Sequence, residues 1–247
     1  MRTAIIADIH GNLVSFEAVL EDIEQEQVDR IICLGDVATI GPQPNAVIAR
    51  MKDLGYLCAI GNHESWLLDL NLLDKLKGAP DWFVNSIRWC AAQLSDDDFE
   101  FFRSFPPTIK LALDEEISLL GFHGSPNSEM DSIYPMTPPE ELEELLAGHT
   151  CRIMAGAHTH AQMLRQHKGM LIINPGSVGI PFNQAPTRGP IQFHPWAEYA
   201  IVNSINGMLS VDLRRVSVDL DRVKNALIDS QHPARDIWLN NWKNTRL

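Results

Sequence analysis

The sequence predicts an α/β fold, and three observations carry that expectation. Short runs of apolar, β-branched residues alternate with segments whose apolar residues recur at helical spacing, as in strands joined by crossover helices. Most of the short polar clusters directly follow one of those runs, where a strand ends and a loop begins, and in open α/β sheets ligands collect at the carboxyl ends of strands. The chain has 247 residues of which 45% are hydrophobic, enough to bury a core without disulfides or a structural metal.

Residues 3–7 read as a first strand, after which Leu13, Phe16, Leu20 and Ile23 recur at helical spacing. Residues 30–34 form a second strand. A helix over 45–54 follows two prolines and ends near Gly55, a C-cap residue. Residues 57–60 are a third strand. The segment at about 64–105 is a helical insert rich in Trp66, Trp82, Phe83, Trp89, Phe99, Phe101 and Phe102, with a new helix opening at Ser95 and Asp98 at its third position. Core packing accounts for most of these rings, with a minority at a substrate entrance.

Beyond Pro106 and Pro107, strands over 109–113 and 117–122 are joined by the acidic turn Asp114-Glu115-Glu116. Thr137-Pro138-Pro139-Glu140 resembles a capping box with proline at the first helical position, opening a helix to about residue 146. Residues 152–155, 170–173, 199–203 and 208–213 read as strands, the last two joined by Asn206-Gly207, a strong hairpin signal. The tail, 220–247, reads as helical. With no internal repeat, low-complexity tract or linker, 1–247 is expected to be a single domain.

Thirty-two acidic against 20 basic residues give a formal charge of −12, a field that disfavours generic binding to nucleic acid or to an anionic membrane. No apolar stretch approaches the roughly 20 residues that span a bilayer, and the chain enters a strand at once with no signal peptide. Cys33, Cys58, Cys90 and Cys151 form no C-x-x-C pair and read as reduced, buried thiols. A cytoplasmic protein is the expectation.

Five clusters carry the chemistry: Asp8-Ile9-His10, Gly35-Asp36, Gly61-Asn62-His63-Glu64, His123-Gly124 and Gly156-Ala157-His158-Thr159-His160. Asp8 and His10 are two apart, and on extended backbone such side chains point the same way and can clasp one ion. Gly11 lets the chain turn and lets backbone approach a ligand. His158 and His160 repeat the spacing. Imidazole with carboxylate suits Mn, Fe, Zn or Co, whereas Mg or Ca would take nearly all oxygen. The absence of thiolate argues against structural zinc.

The order D-x-H, GD, GNHE, H and GHxH resembles the calcineurin-like metallophosphoesterase family from Asp8 to His160, with no member missing. Residues 34–44, and Asn174-Pro175-Gly176-Ser177-Val178-Gly179, are similar to its small bacterial and archaeal phosphodiesterase branch. The resemblance implies two mixed β-sheets packed face to face and flanked by helices, in four layers. It also implies two divalent transition-metal ions, manganese first, with Fe, Zn, Co or Ni as alternatives. Asp8, His10 and His160 would hold one; Asn62, His123 and His158 the other; Asp36 would bridge them. A hydroxide between the ions would attack a phosphate ester. His63 would face the phosphate as proton donor, with Glu64 as its orienting partner. A phosphodiester is the first substrate implied; a phosphomonoesterase or protein phosphatase with the same ions, and a non-catalytic scaffold of the same fold, are the alternatives. Relatives of this branch often carry an arginine after the Pro-Gly-Ser turn. Here Ile180-Pro181-Phe182-Asn183-Gln184 follows, with Arg188 only later, a departure that bears on substrate preference and not on the metal site.

Taken singly, the residues have plainer readings. Asp8 fits an N-cap, Asp36 a turn, His123 a structural histidine and Glu64 the first turn of a helix. Asn12 lies near the site or caps the first helix, and Ser177 with its neighbouring glycines forms a turn beneath it. His149, His167, His194 and His232 match no motif and read as surface or capping residues.

Overall fold

Apolar residues on alternate positions of the first strand are buried on both of its faces, which identifies it as a central strand of a covered sheet. The computed structural model describes residues 1–182 and 193–243; Asn183, Gln184, Arg188 and the last four residues of the tail lie outside them. The strand is β1 (Arg2–Ile6), and its sheet continues with β2 (Arg30–Cys33), β3 (Leu57–Cys58), β9 (Trp196–Ile205) and β10 (Met208–Ser217) in the order β10-β9-β1-β2-β3. β1, β2 and β3 are parallel, while β9 runs antiparallel to β1 and forms a hairpin with β10 through Asn206 and Gly207. Both turn residues have positive φ, +51° and +75°, as the expected tight hairpin requires.

The second sheet has the order β4-β5-β6-β8-β7, from β4 (Thr108–Ala112), β5 (Ser118–Phe122), β6 (Ile153–Ala155), β7 (Met163–His167) and β8 (Met170–Asn174). β5, β6 and β8 are mutually parallel, and β4 and β7 are antiparallel edges. Ile5, Ala7, Ile32, Leu34, Ala200 and Val202 of the first sheet meet Ile109, Leu111, Leu119, Ile153, Ala155 and Ile173 of the second in one buried cluster. The sheets therefore pack face to face, and the intervening residues point outward. Ala4, Ile6 and Cys33 meet α1 (Leu13–Gln25) and α2 (Pro44–Leu54) on the first outer face. Leu120, Phe122 and Met154 meet Leu142 of α6 (Pro139–Leu145) on the second. The four layers anticipated from the family resemblance are present.

Between β3 and β4 the chain is helical: α3 (Asn62–Leu68), a 3₁₀ turn (Leu70–Lys75), α4 (Asp81–Ala91) and α5 (Asp96–Arg103). Ser95 and Asp98 form the expected reciprocal cap of α5. The expected cap at Thr137 is not formed. Pro138 is the N-cap of α6, and Thr137 Oγ1 instead accepts a hydrogen bond from the Tyr134 N–H at 2.8 Å. The tail is not one helix: α7 (Leu220–Asp229) and α8 (Arg235–Lys243) are separated by a turn at residues 230–234 that contains Pro233. β7 was not anticipated, because its polar edge sequence MLRQH lacks an apolar run. All four cysteines are buried and free. Among the described residues no helix is long and apolar enough to cross a membrane.

Candidate metal centre

Six strands deliver the site, and each does so at its carboxyl end. Asp8 and His10 follow β1, Asp36 follows β2, Asn62 and His63 follow β3, His123 follows β5, His158 and His160 follow β6, and Ser177 follows β8. All six strands are parallel within their own sheets, so the sequence distance from Asp8 to His160 collapses onto one edge of the sandwich.

The expectation of extended backbone at the paired positions is corrected. Asp8, His10, Asp36, His158 and His160 have φ of +54°, +48°, +56°, +66° and +54°. Each therefore sits in the left-handed region that disfavours a side chain by about 1–2 kcal/mol. The convergence at i and i+2 arises from these irregular turns and not from the strand pleat. Backbone hydrogen bonds hold them: Asp8 N–H to the Gly35 carbonyl at 3.0 Å and His10 N–H to the Asp36 carbonyl at 2.9 Å. Ser177 Oγ and the Gly179 N–H both donate to the Asp8 carbonyl, at 2.8 and 2.9 Å, so the 174–179 turn does lie beneath the site. Gly11 is in the left-handed region at φ +61°, and an added Cβ would stand 2.5 Å from the Ala38 carbonyl; the close approach it permits is to backbone rather than to a ligand. Asn12 caps α1 through Ser15 and also donates to the Gly179 carbonyl at 2.9 Å, so it fills both roles considered for it.

The side chains converge tightly. His10 Nε2 is 3.1 Å from His160 Nε2, and Asp8 Oδ1 is 3.5 Å from His160 Nε2 and 4.0 Å from those of His10 and His123. Asn62 Oδ1 lies 2.8 Å from both His123 Nε2 and His158 Nδ1. Asp36 stands between the two groups, with Oδ2 at 3.3 Å from His123 Nε2 and 3.8 Å from His10 Nε2 and His63 Nε2. His123 Nδ1 donates to the Leu34 carbonyl at 2.7 Å and His160 Nδ1 to the Ile180 carbonyl at 2.8 Å, which turns each Nε2 toward the centre. Three sets, Asp8-His10-His160, His10-Asp36-His63 and Asp36-His123-His158, bring ligand atoms close enough to hold a cation.

Burial disfavours a lone charge on the Asp8 carboxylate and on three of the imidazoles. Burial pushes the Asp8 carboxyl well above the usual carboxylate range. Burial would raise Asp36 as well, but His123, His63 and His10 around it hold it well below. Burial lowers His10 well below the ordinary imidazole value, and lowers His158 and His160 to about 4, leaving their lone pairs free. For His123 burial is outweighed by Asp36 and Asp8, which raise it to about 10. Both oxygens of Asp8 are buried without a hydrogen-bond partner, as is His10 Nδ1. A buried carboxylate with no partner costs several kcal/mol. Mixed imidazole, carboxylate and amide donors around such an orphan fit a divalent transition metal.

Two expectations for the neighbouring residues change. Glu64 does not orient His63: its carboxylate accepts from the N–H groups of Asp36 (2.8 Å), Val37 (2.8 Å) and Gly61 (3.0 Å). The partner of His63 Nδ1 is the buried hydroxyl of Thr39, a residue that no sequence motif singles out. His232, read as a surface or capping residue, is buried, although its Nδ1 does accept from the Ala234 N–H at 3.2 Å.

The family model for the calcineurin-like phosphoesterase superfamily domain matches residues 1–192. The chain is 28% identical over 196 residues to MJ0912, an uncharacterised protein of Methanocaldococcus jannaschii, covering 72% of this chain and 76% of that protein. Its fold is similar to that of a metallophosphoesterase from Sphaerobacter thermophilus, with a TM-score of 0.71 and 25% identity over 94% of this chain and 95% of that one. PH1004, a hypothetical protein from Pyrococcus horikoshii OT3, shares the fold at a TM-score of 0.80 and 20% identity, over 99% of each chain.

Proposed function

Because the chain belongs to the calcineurin-like phosphoesterase superfamily, we propose that it hydrolyses a phosphodiester with two divalent transition-metal ions, manganese first. Asp8, His10 and His160 would hold one ion and Asn62, His123 and His158 the other, with the Asp36 carboxylate available as a ligand to both. The observation that carries the reading is the pair of buried, partnerless Asp8 oxygens beside three imidazole nitrogens. When bound, the ions supply charge that offsets the developing negative charge and lowers the pKa of water.

The protein's own contribution is positioning and proton delivery. The left-handed turns at five of these residues preset the donor geometry, so little reorganisation accompanies binding. His63 carries the proton for the departing alkoxide. Burial lowers it to about 4, against the pull of Asp36, so without substrate it is neutral. An anionic phosphate beside it raises its proton affinity. The Thr39 hydroxyl donates to Nδ1 of the neutral ring or accepts from Nδ1–H of the imidazolium, and so holds the ring in both states. Glu64 fixes the loop that carries Asp36 and the turn that leads into Asn62, and takes no proton in this scheme.

Hydrolysis of an aryl phosphodiester and its monoester by protein loaded with Mn²⁺, with and without chelator, tests the reading. Metal-dependent turnover of the diester above that of the monoester, lost in His63→Ala, is expected. Monoester preference would move the assignment to phosphomonoesterase. Chelator-resistant turnover, or turnover unchanged in His63→Ala, would remove the mechanism. The soluble composition keeps the cytoplasm as the proposed location.

A further inference from the structure

Beside the centre lies a cavity of about 630 Å³, in the range of sites that enclose a drug-sized molecule and far larger than a phosphate needs. Its walls are aromatic and begin at the centre itself. His63 sits edge-on to Trp66 at 4.5 Å and to Phe83 at 5.5 Å between ring centroids, and Trp82 extends the wall beyond Phe83 at 5.8 Å. On the opposite side Phe182 stacks on His160 at 4.7 Å and 28°, and a β-bridge joins Phe182 to Phe193. Trp238 of α8 backs Phe193 at 5.2 Å, so the C-terminal helices support this wall. The lining contains no lysine or arginine among the described residues.

Resting on the phosphoesterase reading, we infer that this cavity takes an uncharged aromatic group of the substrate, an aryl ring or a nucleobase. A flat ring gains affinity by stacking on aromatic side chains, whichever ring it is, because every such ring offers a π-face. The chain's net charge of −12 disfavours a polyanionic substrate. The rings of the helical insert that reach the cavity, Trp66, Trp82 and Phe83, are then the specificity determinants, with Trp66 and Phe83 also anchored in the core, whereas Trp89, Phe99, Phe101 and Phe102 pack in the core without lining the cavity.

Binding reports on this separately from turnover. Calorimetric titration of Mn²⁺-loaded protein with methylphosphonate, hexylphosphonate, phenylphosphonate, a nucleoside phosphonate and inorganic diphosphate is the test, repeated on Trp82→Ala/Phe182→Ala. At least tenfold tighter binding of a ring-bearing phosphonate than of methylphosphonate is expected, with the ratio falling below threefold in the double variant. The tighter of phenyl and nucleoside phosphonate distinguishes an aryl ring from a nucleobase. Equal affinity for methyl and ring-bearing probes, preference for hexylphosphonate or diphosphate, or a ratio unchanged in the variant would overturn the inference. Ring preference without hydrolysis of any diester would uphold the cavity assignment and contradict only the hydrolytic reading.

Discussion

The Glu64 carboxylate and the Asp36 backbone N–H are joined by a buried 2.8 Å hydrogen bond, across 28 residues of sequence. The same carboxylate accepts from Val37 and Gly61, so it ties the loop after β2 to the loop after β3. Asp36 lies in the first of those loops and Asn62 directly follows the second as the first residue of α3, which makes Glu64 the strut that sets their separation. Burial and the neighbouring Asp36 push its pKa up to about 7, while the three N–H groups favour its charged form.

Replacing Glu64 by alanine leaves these N–H groups buried and unsatisfied, at about 1–3 kcal/mol each. A loss of several kcal/mol in chemical denaturation is expected, together with weaker Mn²⁺ binding. Glu64→Gln keeps one acceptor oxygen and should lose less of both. Equal, small losses in the two variants would show that the strut is unimportant.

Thr39→Val removes one hydroxyl at nearly constant volume and leaves His63 Nδ1 without its partner. The expected result is a fall in kcat of about tenfold or more, from loss of an oriented proton donor, with metal stoichiometry unchanged. Thr39→Ser should restore most of the rate. A Thr39→Val enzyme with undiminished kcat would remove Thr39 from the account.

Gly179 approaches the Ile9 backbone so closely that an added Cβ would collide with its carbonyl. Gly179→Ala should therefore displace the Asp8 to His10 turn, costing about 1–3 kcal/mol as an overpacking change and weakening metal binding. Calorimetry on the variant checks both. Unaltered Tm and unaltered metal affinity would show that the turn yields freely.

His232 packs edge-on to Trp89 at 4.7 Å, with only 3% of its surface exposed, and burial lowers its pKa to about 4. The unfolded chain, with a histidine pKa near 6.5, binds the extra proton first as pH falls. The neutral side chain's contribution is complete above about pH 6.5 and is lost as pH drops to 4, on the order of 3 kcal/mol at about 1.4 kcal/mol per pH unit. His232→Asn keeps an acceptor for the Ala234 N–H and should lose stability less steeply between pH 6.5 and 4. An unchanged slope in urea denaturation would show that His232 is not a source of the acid sensitivity.

Much of this molecule was legible because period and position carry physical meaning. The first three strands, the Asn206-Gly207 hairpin and the reciprocal cap at Ser95 all follow from local chemistry that the fold preserves. The metal-site residues were legible by type and order. Their backbone was not: nothing in Asp8-Ile9-His10 distinguishes an extended turn from a left-handed one, since hydrogen bonds to the Gly35 and Asp36 carbonyls and from the Gly179 N–H impose the latter. Thr39 was missed for a similar reason, because its partner lies 24 residues away in a different loop. Glu64 was read by adjacency to His63, whereas its three donors sit on the backbone, which sequence does not display. β7 went unseen because a polar edge strand has no apolar run to announce it.

The most direct test of the central claim is metal stoichiometry, measured by calorimetric titration of chelator-stripped protein with Mn²⁺ and checked by elemental analysis. The account predicts two ions per chain, with Asp8→Ala and Asn62→Ala each reduced to one tightly held ion and Asp36→Ala weakened at both positions. Tight binding of no ion by the wild-type chain, or two-ion binding untouched in all three variants, would contradict it.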